Sequence, residues 1–178
     1  MSDGSGAGEE TEDRAEAWQR LQATLRTAGQ RRLVLVEGER SDCLTWLRKR
    51  LAVLTCETGL WTGPPEDLPR PDLTLVKPNA GRNWLGREID LLVWDGWQGN
   101  PPDSLAALTG TLAAGGLWFW LMPPLADWPT FADPDYVRTG LEGAPTHPFA
   151  ERMARVIAAD PNSIRVRPGT PTALPDPS

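Results

Sequence analysis

Three continuous apolar runs constrain the fold of this chain most strongly. They are LVLVE (33–37), DLLVWD (90–95) and LWFWLM (117–122). None of them alternates apolar and polar residues, as a strand with one wet face would. Strands covered on both faces are typical of parallel sheets with a layer of helices on each side. The sequence therefore predicts a three-layer αβα Rossmann-like domain with a mainly parallel sheet, and these runs form its central strands.

Helical patterns alternate with the apolar runs, as a parallel sheet requires. The clearest covers 13–28, where Trp18, Leu21 and Leu25 recur at helical spacing and Gly29 ends the pattern. A helix is also expected in PPDSLAALTGTLAAGG (101–116), capped by Asp103 or Ser104 and ended by its last two glycines. Further helices are expected from a Ser41 cap to Leu54, from an Asn79 cap to Leu85, and over 148–160. Shorter strands are expected at 59–62, 73–76 and 163–167.

The ends of the chain differ in composition from its middle. Residues 1–12 are small, polar and acidic, which predicts a disordered acidic tail. Residues 168–178 are rich in proline and predict a linker, so the α/β domain is expected at 13–167. The formal net charge is −6, of which residues 1–17 carry −5. The remainder is nearly neutral and has no general nucleic-acid footprint, although local basic patches stay possible.

The sequence indicates a cytoplasmic protein without a membrane segment. No apolar stretch is long enough to span a bilayer, and no secretory signal opens the chain. The two cysteines, Cys43 and Cys56, have no metal-ligand spacing, and so few cysteines suit a reducing compartment.

Motifs for nucleotide, acetyl-CoA and nucleophilic chemistry are missing. A phosphate loop needs glycines followed by Lys and Ser or Thr, but Lys49 precedes Arg50 and Lys77 precedes Pro78. The nearest match to an acetyl-CoA turn, RTAGQR (26–31), fails at its last position. The one histidine, His147, lies beside Pro148 and suits a helix start better than a catalytic base. We therefore predict no catalytic residue, no metal and no cofactor in this segment.

Two turns at strand ends are predicted to be structural. VEGER (36–40) contains Gly38 and Glu39 but only one glycine, so it predicts a plain strand-to-helix turn, with a cofactor site as the alternative. Asp95 and Gly96 begin DGWQG, where the carboxylate can accept hydrogen bonds from the amides of 96–98. The alternative role of Asp95 is magnesium binding, which would need a nucleotide that no phosphate loop brings.

The nine tryptophans allow two interpretations. Those inside apolar runs, Trp94, Trp118 and Trp120, are expected in the core. Those near loops are also expected to be structural, with base stacking on an exposed ring as the alternative. They are Trp61, Trp84, Trp97 and Trp128.

The stretch from LGRE (85–88) to the strand that ends at Pro123 resembles a known family. LGRE, the strand ending in Asp95, the LAALTGTLAAGG helix and the following apolar strand occur in the order seen in the amino-terminal domain of the bacterial tRNA(Met) cytidine acetyltransferases, TmcA. RRLVLVEGE (31–39) and HPFAERMARVIAAD (147–160) are similar to the first strand and last helix of that domain. The resemblance covers roughly 15–167.

The resemblance implies one domain of an enzyme that acetylates the wobble cytidine of elongator tRNA(Met). That family uses acetyl-CoA and drives the reaction with ATP or GTP through a helicase-like module. The implied partners are the helicase-like and acetyltransferase modules and tRNA(Met), and the segment itself is expected to be non-catalytic. Lys77, Arg82 and Arg87 near the LGRE turn are the candidates for RNA contact; ordinary surface solubility is the alternative. A stand-alone nucleotide-binding or small-molecule-binding protein and an interaction scaffold remain as alternative functions.

Overall fold

A six-stranded, entirely parallel sheet forms the centre of the protein. The computed structural model describes residues 6–174, with side chains from residue 14 onward. The strands lie in the order β3-β2-β4-β5-β1-β6, and every pair is parallel. The predicted mainly parallel sheet is confirmed. Its strands are β1 (Arg32–Glu37), β2 (Gly59–Trp61), β3 (Thr74–Leu75), β4 (Ile89–Asp95), β5 (Leu112–Met122) and β6 (Ile164–Val166).

Helices cover both faces of the sheet and complete the three predicted layers. Side chains of α1 and α2 share one core cluster with one face of β1, β4 and β5. Side chains of α3 and α5 share a second cluster with the opposite face. No helix within residues 6–174 combines the length and apolarity that crossing a membrane requires. The α-helices are α1 (Gly6–Ala28), α2 (Arg40–Leu51), α3 (Pro102–Thr109), α4 (Asp135–Thr139) and α5 (Pro148–Ala159), with short 3₁₀ helices at Pro65–Asp67, Pro78–Trp84, Gly96–Gln98 and Leu125–Thr130.

The central strands are buried on both sides, which is why their sequences do not alternate. In β1, Val34 and Val36 face the first cluster, whereas Leu35 faces the second. In β5, Phe119 faces the first cluster and Trp120 the second. All five side chains are almost wholly removed from water. Burial of large apolar side chains at both faces supplies most of the driving force for such a sheet.

The predicted helix over 101–116 is wrong in its second half. Helix α3 ends at Thr109, and Leu112 already begins β5. The cause is pairing across the sheet, since Leu112 lies beside Ile89 in the register of β4 and β5. The Gly115 N–H donates to the Gln30 carbonyl at 2.8 Å. These contacts outweigh the modest helix propensity of the LAAGG segment.

Helix α1 begins at Gly6, seven residues before its predicted start. Residues 6–12, which the sequence places in a disordered tail, are therefore helical. Alanine and glutamate have high helix propensity, which favours the longer helix. Residues 1–5 of the predicted tail and 175–178 of the predicted linker lie outside the described residues.

The predicted caps also differ from the structure. Helix α2 starts one residue before Ser41, and its cap residue, Glu39, makes no side-chain capping bond. The helix predicted from Asn79 is a 3₁₀ helix that begins at Pro78. Ser104 lies inside α3, where its Oγ accepts a hydrogen bond from the Gly81 N–H at 2.8 Å. This bond ties the connection between β3 and β4 to helix α3.

Candidate functional site

Two buried carboxylates stand at the carboxyl edge of the sheet, where open α/β sheets generally bind their ligands. Glu37 ends β1 and is 2% exposed, whereas Asp95 ends β4 and is wholly buried. Strand β5 lies between them, with Met122 beside Glu37 and Leu121 beside Asp95. A buried carboxylate needs a charged partner and hydrogen bonds, because its own desolvation is costly.

Asp95 finds those partners in its own chain. Its Oδ1 accepts from the Trp97 N–H at 3.2 Å, inside the 96–98 turn where the sequence places such a bond. The Arg40 guanidinium adds contacts of 2.7 Å from Nη2 and 3.2 Å from Nε, both to Oδ2. Arg40 also binds Asp67 at 2.9 Å. Burial lowers the pKa of Arg40, but hydrogen bonds and charges from Asp95 and Asp67 raise it overall. A guanidinium thus balances the carboxylate that ends β4.

Glu37 is held by a second arginine on the neighbouring edge strand. The Arg165 Nε lies 2.7 Å from Oε2, and Nη2 lies 2.9 Å from Oε1. The Leu125 N–H donates to Oε1 at 3.1 Å. Burial raises the pKa of Glu37, but the bonds from Arg165 and Leu125, with the charge of Arg167 behind them, lower it overall. Folding therefore favours the ionised form of the Glu37 side chain.

The turns after β1 and β4 lie close against the end of β5. Gly38 has φ +149° and donates its N–H to the Met122 carbonyl at 3.2 Å. Glu39 precedes α2, and its carbonyl accepts from the Cys43 N–H at 3.0 Å. A Cβ on Gly96 would lie 2.5 Å from the Leu121 carbonyl oxygen. The close approach requires glycine at position 96, whereas at Gly38 an added Cβ would have room and the positive φ is what favours glycine.

This edge does not fit a nucleotide or acetyl-CoA phosphate. Phosphate sites present backbone N–H groups and cations that are free to turn toward the ligand. Here the Gly38 N–H is used by Met122, while Arg40 and Arg165 are each held by a buried carboxylate. Within the described side chains, no three His, Cys, Asp or Glu residues are grouped as they would be around a metal ion. The sequence analysis did not predict the roles of Arg40 and Arg165, which form the ion pairs with Asp95 and Glu37.

The three basic residues predicted near LGRE lie on the connection between β3 and β4. Lys77, Arg82 and Arg87 are all exposed. Arg82 makes an exposed ion pair of 3.3 Å with Asp103, and the Arg87 guanidinium lies 4.9 Å from the centre of the Trp84 ring. We call these three residues the basic connection. They face water and are not part of the paired carboxyl edge.

The tryptophans are mostly structural. Trp94 and Trp120 are buried as predicted, and Trp118 is half-buried. The stacking alternative is wrong for Trp61 and Trp128, which are buried with their Nε1–H groups each 2.9 Å from a proline carbonyl oxygen. Trp84 and Trp97 are half-buried.

Sequence reasoning missed a cavity of about 210 Å³ beside the second core cluster. The cavity could have been suspected from the aromatic residues of 128–136, a segment in which no periodic pattern predicted a helix or a strand. Its lining includes Trp120, Trp128, Phe131, Tyr136, His147 and Met153.

Comparison with known proteins gives a consistent match over nearly the whole chain. The family described as "tRNA(Met) cytidine acetyltransferase TmcA, N-terminal" matches residues 10–168. The TmcA of Salmonella typhimurium is 34% identical over 164 residues, which are 90% of this chain and 23% of that protein. The TmcA of Nitrosococcus halophilus is 32% identical over 166 residues, or 87% of this chain and 22% of that protein. The chain thus spans less than a quarter of the length of these relatives.

Proposed function

The chain belongs to the family of TmcA N-terminal domains, and from that premise we propose that it is the non-catalytic N-terminal domain of a tRNA(Met) wobble-cytidine acetyltransferase. In this role it braces the helicase-like module and helps to place tRNA(Met). ATP or GTP and acetyl-CoA are used by other modules of the parent enzyme. As part of a tRNA-modifying enzyme the domain works in the cytoplasm.

The pairing of the carboxyl edge is the observation that carries the non-catalytic role. In most open α/β domains this edge holds the ligand in a crevice. Here Glu37 binds Arg165 and Asp95 binds Arg40, so the charges that would serve a reaction are used within the fold. A domain arranged in this way contributes shape and stability to a larger enzyme rather than reacting groups.

The basic connection supports a role in tRNA placement. Arg82 is paired only with an exposed aspartate, and such surface pairs contribute little free energy. Its guanidinium can therefore exchange that aspartate for a phosphate at small cost. Arg87 lies over the Trp84 ring, which restricts its side chain and presents the charge outward. Lys77 is exposed on the same connection and adds a third charge. Contacts of this kind orient an RNA backbone without reading its sequence.

Binding of tRNA(Met) transcript to the chain, followed by fluorescence anisotropy across a salt series, tests the RNA contact. Replacing the basic connection with three alanines should weaken binding and reduce the slope of log K against log salt by about 2 to 3. The matched control removes the same charges from exposed positions elsewhere. Those positions are Arg48, Lys49 and Arg155.

Two results would reject parts of this proposal. If the control variant lost as much affinity as the basic-connection variant, or if the chain did not bind tRNA at all, the placement role would be wrong and the bracing role would stand alone. Titration calorimetry of the chain with ATP, GTP and acetyl-CoA should give no saturable heat. A saturable signal would instead favour a nucleotide-binding or cofactor-binding domain. Bracing itself is checked by size-exclusion chromatography of the chain mixed with the separately produced helicase-like module.

A further inference from the structure

The cavity lies between the sheet and the two last α-helices, on the face that carries the second core cluster. Its floor includes Trp120 and Met122 of β5, and Trp128 stands beside them. Helix α5 contributes Ala150 and Met153 to the opposite wall. The volume is about 210 Å³. Engineered apolar cavities of about 150 Å³ already hold benzene, so this one has room for a fused bicyclic ring.

Most polar groups in the wall are satisfied within the protein; among the described side chains the exception is the buried Nδ1 of His147, which has no hydrogen-bond partner. Asn100 accepts from the Trp120 Nε1–H at 2.8 Å and donates to Asp133 at 2.9 Å. Asp135 binds the Arg138 Nε at 2.7 Å. The walls therefore offer apolar carbon surface and two negative charges, which together disfavour an anion such as a phosphate. An uncharged, mainly apolar occupant suits this lining best.

The aromatic walls are fixed before any ligand arrives. The Trp128 Nε1–H donates to the Pro123 carbonyl at 2.9 Å, and its ring meets that of Trp120 at 60° with centres 5.0 Å apart. The rings of Tyr136 and His147 stack in parallel, with centres 3.8 Å apart. These two are the only tyrosine and the only histidine in the chain. Because the walls are ordered in advance, little conformational entropy is lost when a ring enters.

The cavity opens at a rim of exposed apolar side chains. Leu141 is 49% exposed and Phe149 is 41% exposed, yet both also line the cavity. Large apolar side chains that remain in water at the mouth of an apolar cavity mark a route of entry. Burial raises the pKa of Tyr136 to about 12, with the nearby aspartates adding to the shift, so its phenol stays neutral.

We infer that this cavity is a binding site for a small, uncharged aromatic molecule of one or two fused rings. The ring enters past Leu141 and Phe149 and packs among Trp120, Trp128 and Met153. The site is independent of the proposed tRNA contact, because no residue of the basic connection lines it. Failure of either proposal would leave the other in place.

Indole is a suitable probe because it is bicyclic, uncharged and apolar except for its single N–H. Titration calorimetry of the 178-residue chain with indole should give a single site with a dissociation constant on the order of 100 µM, typical of good ligand efficiency for nine heavy atoms. Ala150→Leu places extra carbon in the cavity and should weaken indole binding at least tenfold. The matched control is Ala158→Leu, an exposed position on the same helix, which should bind indole as the wild type does.

Thermal melting of both variants shows that each is folded before binding is compared. Absence of saturable indole binding to the wild type would overturn the inference. Equal binding by the wild type and Ala150→Leu would overturn it too, because indole would then be bound elsewhere. If Ala150→Leu proved unstable, Met153→Phe reduces the same volume from another position and is judged by the same two results.

Discussion

The ion pair between Arg40 and Asp95 offers the most direct test of how the carboxyl edge is held together. Arg40→Ala removes the guanidinium from the wholly buried Asp95 carboxylate. Of the described hydrogen bonds to that carboxylate, only the one from the Trp97 N–H then remains. Asp95→Asn removes the charge instead and keeps an oxygen that can still accept from Trp97. The two variants therefore separate the cost of an unpaired buried charge from the cost of losing the pair.

The expected magnitude follows from burial. Removing one partner of a buried ion pair costs about 3–5 kcal/mol. The Arg40 side chain is 27% exposed, so water can partly replace it. We therefore expect about 3 kcal/mol for Arg40→Ala, which corresponds to a fall of roughly 6–12 °C in Tm for a chain of this size. Asp95→Asn should cost less, about 1–2 kcal/mol, because Arg40 keeps Asp67 and some solvent.

Urea unfolding of the wild type, both single variants and the double variant measures these free energies and their coupling. The double variant should be less destabilised than the sum of the singles by at least about 1 kcal/mol. Arg48→Ala, an exposed arginine on the same helix, is the control and should change stability by less than about 0.5 kcal/mol. A loss for Arg40→Ala as small as for this control, or additive single variants, would refute the reasoning.

Three further changes test other parts of the fold. Because bonding to Arg165 lowers the pKa of Glu37, its stabilisation is present above the unfolded-state pKa of about 4.3 and is lost as the pH falls below it. Glu37→Gln should therefore lower the free energy of unfolding at pH 7 and make that free energy less dependent on pH, as measured by urea unfolding from pH 3 to 7. If the wild type and the variant lost stability in parallel as the pH fell, the ion pair between Glu37 and Arg165 would not be the cause. Gly96→Ala should destabilise the fold by about 1–3 kcal/mol, because the added Cβ meets the Leu121 carbonyl. Thermal melting measures this loss, and an unchanged Tm would mean that the end of β5 can move away. Burial, with nearby acidic groups, raises the pKa of Cys43 to about 12, so its thiol should resist a disulfide reagent at pH 8 until urea is added. Because Cys56 is only half-buried, the test uses a Cys56→Ser chain, and rapid labelling of Cys43 in that native chain would contradict the prediction.

The sequence predicts the layers of this fold well because central parallel strands carry a strong signal. Residues 33–36, 91–94 and 117–122 are apolar at consecutive positions, and burial on both faces explains that pattern. The boundary between α3 and β5 could not be predicted in the same way. Leu112 continues the helical spacing of the preceding leucines, and the alanines and glycines after it favour no strand by themselves. Pairing with β4 decides the outcome, and that information is not local.

In the candidate site, too, only part could be predicted from local sequence. Asp95 could be singled out because an acidic residue that follows a buried strand must be satisfied by some partner. Its main partner, Arg40, could not, since the contact joins residues 55 positions apart and depends on how two turns meet at one edge. The cavity escaped notice for a related reason. Its aromatic walls come from β5, α5 and a non-periodic segment, so no single pattern brings them together.

The order of the strands in the sheet has a consequence for synthesis on the ribosome. Strand β1 pairs only with β5 and β6 among the described strands, and its first residue, Arg32, lies beside Leu117. A chain made from its N-terminus therefore carries an apolar strand without a neighbour while the next 80 or so residues are added. At about 5–20 residues per second, that interval lasts roughly 4–16 s. The two helices next to β1 in the chain, α1 and α2, share the first core cluster with Val34 and Val36 and can cover them from water during this interval. Nascent chains of this domain are thus exposed to misassociation until β5 emerges, and the early helices act as a temporary shield for the strand that the sheet will later enclose.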